Sequence, residues 1–151
     1  MDQIASIWRD RGNTSEFERW RKRARVIHLE HLKLVPEAAV GHALDHFLEL
    51  EDDRAKALEL ALQNHKIRPG GEAKEKLVSA YLLNKKFKLA QEIAVQMEES
   101  GWKTADAMAL VSLAHEMAGD ADKAATAKAV AQTLADDASS RVDWLREAIG
   151  S

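Results

Sequence analysis

Residues 72–102 run EAKEKLVSAYLLNKKFKLAQEIAVQMEESGW, and the fold follows from the spacing of the apolar residues in that stretch. Leu77, Val78, Tyr81 and Leu82 recur at the three- and four-residue intervals of one face of an α-helix. Asn84-Lys85 breaks the pattern, Phe87, Ala90, Ile93, Ala94 and Met97 resume it, and Ser100-Gly101 closes it. The stretch is therefore two amphipathic helices joined by a turn short enough to fold them antiparallel.

The same grammar extends in both directions. Upstream, Pro69-Gly70-Gly71 is the clearest turn in the chain. Before it, Val40, Leu44, Phe47 and Leu48 form one helical stripe, which Pro36 can open from its first turn, and Leu58, Leu60, Ala61 and Leu62 form the next. Glu51-Asp52-Asp53 separates the two. Further back, Phe17, Trp20, Ala24, Ile27 and Leu34 share a stripe, with Ser15 and Glu18 spaced as a capping box and Gly12-Asn13 ending a short first helix. Downstream, Met108, Val111, Leu113 and Met117 run to Gly119-Asp120, and Ala124, Ala127, Val130, Ala131 and Leu134 return. Val142, Leu145 and Ile149 make a last helix.

These pairs recur. Pro36, Pro69, Lys103 and Asp137 stand at corresponding helix starts, 33 or 34 positions apart. In that register the first helices supply Leu44, Leu77 and Val111, and the second helices supply Ala24, Ala57, Ala90 and Ala124. A small residue at the recurring place lets two helices approach closely. A period near 34 with two helices per unit marks a helical solenoid. Residues 72–102, through Leu77, Tyr81, Phe87 and Ala90, resemble a tetratricopeptide repeat. Residues 105–135 resemble a second, through Val111, Ser112, Gly119, Asp120, Ala124 and Ala131, and residues 38–70, ending in Pro69, a more degenerate one. Lys74, Ala94 and Lys128 depart from the family pattern, which favours a large apolar residue at the first place and aromatics at the other two. The resemblance implies an all-α, right-handed α-solenoid of antiparallel helix pairs, about three repeats with flanking helices. As one helical-repeat domain over 1–151, the chain divides into N-terminal helices at 1–35, repeats at 36–70, 71–103 and 104–136, and a capping helix at 137–151. Residues 90–103 also resemble the second helix of a pentatricopeptide repeat, a family that binds single-stranded RNA. The base-reading places of that family would fall here on Lys76 and Leu110, and leucine cannot hydrogen-bond a base edge.

Composition narrows the chemistry. The chain has no cysteine, which removes disulfides, thiolate metal sites and cysteine nucleophiles. It begins without the charged start and apolar run of a signal peptide, and nothing approaches the ~18 apolar residues of a membrane helix. A cytoplasmic protein that does not enter membranes is the expectation. Net charge is only −3, but the first 35 residues lean basic and the last 48 lean acidic. No phosphate-binding glycine loop or nucleophile motif is present, so no catalytic residues and no cofactor are expected.

The tetratricopeptide resemblance puts function on the first helix of each pair and implies partner contacts at His42, His46, Lys76, Ser79, Leu83, Leu110, Leu113 and Met117, with Glu49, Glu72 and Asp106 beside them. The lysine and asparagine clamp that the family uses for acidic C-terminal peptides is represented by Lys76 alone. A protein or peptide partner held mainly by apolar contact is the expectation, and glutamate at Leu110 and Leu113 should then abolish binding while helicity persists. Arg21, Lys22 and Arg25, in the basic run around Trp20, form a candidate patch for an anionic partner such as RNA. His42 with His46, and His28 with His31, have helical spacing for metal ligation but bring no third ligand, so no metal site is expected. Trp8 and Trp144 lie in terminal helices that should cover the ends of the stack or pair with a second copy.

Overall fold

Each break read from the sequence becomes a helix boundary in the structure, a computed structural model that describes residues 1–150. The helices are α1 (Asp2–Asp10), α2 (Thr14–Leu34), α3 (Pro36–Glu49), α4 (Arg54–Ile67), α5 (Gly71–Leu83), α6 (Phe87–Glu99), α7 (Ala105–Met117), α8 (Ala121–Leu134) and α9 (Asp143–Gly150), with a 3-10 turn at Ala138–Val142 before the last. Among the described residues there is no strand, and no helix is long and apolar enough to cross a membrane.

Local chemistry sets the helix ends. Asp53, Thr104 and Asp120 each accept a backbone N–H three residues on, through side-chain oxygens 3.1, 3.0 and 3.2 Å away. Pro36 occupies the first turn of α3, where its missing N–H is harmless. The turns inside the α5–α6 and α7–α8 pairs hold Lys85 and Gly119 at matching places, both with positive φ (55° and 87°). Glycine takes that conformation freely, whereas lysine is strained in it. One sequence expectation needs correction. Asn13, not Ser15, caps α2, accepting from the Glu16 N–H at 3.1 Å. Gly12, with φ of 70°, turns the chain early enough to put the better cap first.

The chain forms two compact units, Met1–Ile67 and a second that begins at Arg68. In the first, α1 packs on α2, α2 on α3 and α3 on α4. In the second, α5 packs on α6, α6 on α7, α7 on α8 and α5 on α7. The recurring residues are core in both: Leu44, Leu77 and Val111 on first helices, and Ala24, Ala57, Ala90 and Ala124 on second helices, are all buried. Trp102 lies across the start of α5, so that a Cβ on Gly71 would sit 2.0 Å from its ring, and its indole N–H donates to Glu75. Only glycine fits beneath the ring.

The 3-10 turn packs on α7 and α8, but α9 packs back on α5. Leu145 and Ile149 are buried, while Trp144 stays 44% exposed.

Candidate functional site

The residues expected to meet a partner fall into two groups. His42 is exposed on α3, Lys76 and Met117 are half-buried, and Lys76 reaches Glu72 at 3.0 Å. Ser79, Leu83, Leu110 and Leu113 are buried, as is His46, one turn from His42. Ser79 gives its hydroxyl hydrogen to the Glu75 carbonyl at 3.0 Å. Glutamate at Leu110 or Leu113 would therefore force a charge into the core and report on folding, not on binding.

In the second unit, the α5 and α7 helices already carry a helix of this chain. Alongside the buried Leu145 and Ile149, Arg146 reaches α7 and clasps the Glu116 carboxylate with two hydrogen bonds of 2.7 Å. The hydrogen bond from Arg146 holds the Glu116 carboxyl below its ordinary value, against the opposing effect of burial, and the Arg146 guanidinium is raised by the same bond. A cavity of about 330 Å³ opens beside the clasp, with Ser112 and Lys128 on one side and Ser139 and Asp143 on the other.

In the first unit, three helices bring polar side chains together. His46, fully buried on α3, faces a carboxylate from each ring nitrogen: Nδ1 is 2.9 Å from Asp2 Oδ1 and Nε2 is 3.2 Å from Glu51 Oε1. The other Asp2 oxygen lies 2.8 Å from His28 Nε2 on α2, and the two imidazoles are 4.9 Å apart between centroids. Burial pushes the Asp2 carboxyl up, but the hydrogen bonds and charges of His28 and His46 outweigh it and hold the group below its ordinary 3.8. Glu51 is itself fixed by Arg21 at 2.7 Å and Arg25 at 3.0 Å, and Arg25 continues to Asp53 at 3.2 Å. Arg21 also donates to Glu18 at 2.7 Å.

That network engages two of the three residues that the sequence offers as an anionic-partner patch. Arg21 and Arg25 are turned onto Glu18, Glu51 and Asp53, because Glu51 has only 4% of its side chain exposed and needs compensation. Lys22 remains 73% exposed, 3.9 Å from Glu18. Trp20, placed by the sequence on the buried stripe, is half-buried: it donates to Glu16 at 3.2 Å and has the Arg23 guanidinium 5.1 Å from its ring.

Asp2 and Glu51 escape sequence reasoning, since nothing in the spacing of Asp2, His28, His46 and Glu51 links them until three helices pack. The α9 stripe was legible, but its destination was not. A scan of protein-family models finds no match to the chain, and a search of curated proteins finds no significant match.

Proposed function

We propose that this protein is a helical-repeat interaction module, its pairs building a right-handed solenoid resembling tetratricopeptide repeats, and that it binds an amphipathic helix or peptide of a protein partner on its first-helix surface. The observation that carries this reading is α9 on α5. That surface takes up a short helix through two apolar side chains four positions apart and one arginine directed at Glu116. An external helix with the same pattern meets the same complementarity, the helix-in-groove mode of recognition. Its binding requires α9 to leave. The exposed or half-buried first-helix residues Glu72, Lys76, Asp106 and Met117 of the same unit are then the contacts at the margin.

The test uses the full chain carrying Leu145→Asp and Ile149→Asp, which frees α9, beside the unmodified chain. Tagged proteins are exposed to native lysate, and half of each sample is treated with nuclease. The reading expects one protein partner in both halves, recovered several-fold better by the freed variant, whose helicity circular dichroism confirms. Recovery lost with nuclease would replace it with an RNA-binding function centred on the α2 basic run. Equal recovery by both chains would move the binding surface away from α5.

A further inference from the structure

The histidine and carboxylate cluster of the first unit has a use that the interaction reading does not touch. We propose that Asp2, His28 and His46 form a binding site for a divalent transition-metal ion of the zinc class, joining α1 to α2 and α3. They are the one group of three potential ligands that comes together among the described residues, with donor atoms all within 4.8 Å of one another. Each comes from a different helix, so the site exists only in the folded unit.

The geometry is that of a ligand set drawn inward. Both Asp2 oxygens are turned to imidazole nitrogens, at 2.8 and 2.9 Å, so a cation entering between the rings meets His28 Nε2, His46 Nδ1 and the carboxylate together. Zinc–nitrogen and zinc–oxygen bonds are about 2.0–2.2 Å, so the ligands need only spread modestly around it. Outer support is also present. The nitrogen of His46 turned away from this centre faces Glu51, and Arg21 and Arg25 fix Glu51 in turn. A carboxylate behind a ligating histidine sets its tautomer and orientation. Ionised carboxylates only accept, and a neutral imidazole donates from one nitrogen, so His46 can give its N–H to Glu51 and its lone pair to the metal.

Access and selectivity follow from burial and donor type. His46 is sealed within, the Phe47 ring meeting it edge-on at 5.4 Å, whereas Asp2 keeps 34% of its side chain exposed and opens the site outward. Two imidazoles and one carboxylate suit zinc, cobalt, nickel or copper, while magnesium and calcium require more oxygen donors. Three protein ligands leave a further position for water. The ion would hold α1, a nine-residue helix with Ala5 as its one buried residue.

The test takes the full chain stripped with chelator and titrated with zinc by calorimetry and with cobalt by visible absorption. The site predicts one zinc per chain, a cobalt ligand-field band and a higher Tm. Asp2→Asn and His28→Gln, with circular dichroism confirming the fold, should each weaken zinc about 100-fold, and Glu51→Gln about 10-fold. His31→Ala with His42→Ala should leave affinity unchanged. Absence of stoichiometric zinc binding by the unmodified chain overturns the site. So does equal affinity in Asp2→Asn and His28→Gln, or loss of binding in the His31→Ala/His42→Ala variant.

Discussion

His46 and His115 are both fully buried histidines near the ends of first helices, one in each unit, and they are satisfied in opposite ways. His115 Nδ1 lies 3.2 Å from the Gln91 amide nitrogen and Nε2 lies 3.2 Å from Glu98 Oε2. One neighbour donates and the other accepts, so a neutral ring is fully bonded, and Glu98 keeps 35% of its side chain in water. His46 instead stands between two carboxylates, one of them buried, and is joined through Asp2 to a second imidazole. A buried histidine that completes a core and one that gathers charge are therefore distinguished by their neighbours, not by their depth.

The largest effect should come from removing the two rings. His46→Leu leaves Asp2 and Glu51 facing an apolar side chain and should cost about 2–4 kcal/mol, the scale for losing two hydrogen bonds to charged groups at a buried site. His115→Leu loses two ordinary hydrogen bonds, and Glu98 can turn to solvent, so about 1–2 kcal/mol is expected. Urea unfolding measures both, and equal losses would break the comparison.

Next in size is Gly71→Ala. Its Cβ displaces the Trp102 ring and breaks the indole bond to Glu75, which should cost about 1 kcal/mol and shift tryptophan emission to the red. No such steric site involves Trp20, which leans on flexible glutamate and arginine side chains.

Smaller effects sharpen the contrast within the second unit through two carboxylates of opposite tendency. Burial, despite the bond from Trp102, raises Glu75 above its ordinary 4.5. Its ionised form is disfavoured on folding, so its contribution to stability grows as pH falls through the raised value and is complete below 4.5. Glu75→Gln should remove that slope and stabilise the protein at pH 7 by about 0.5 kcal/mol or less. Glu116, lowered by Arg146, stabilises above pH 4.5 and loses its contribution as pH falls through the lowered value. The pair is exposed, at 39% and 48%, so Arg146→Ala should cost about 0.5 kcal/mol and less in high salt. Thermal melts across pH and ionic strength separate the two.

The helices were legible in the sequence because their information is local. Apolar spacing, Gly119-Asp120 and Pro69-Gly70-Gly71 act over a few residues, and Leu44, Leu77, Val111, Ala24, Ala57, Ala90 and Ala124, picked out by such spacing, are buried. Asn13 was misjudged because Ser15 offers a competing cap two residues later. The Asp2–His28–His46 cluster was illegible for a different reason. Its members are ordinary in their own helices, His28 was paired with His31 and His46 with His42, and only tertiary packing selects the right combination. Likewise the α9 stripe announces that it will be buried, not where.

Because α9 is joined to α8 by a short segment and the 3-10 turn, it meets α5 from within the same molecule. A tether of that length holds its ligand at an effective concentration of order millimolar. On the function proposed above, an external helix would have to outcompete that local concentration to occupy the surface. The tether would thereby raise the concentration at which such a helix binds, and weak helices of similar pattern would be rejected without any contact designed against them.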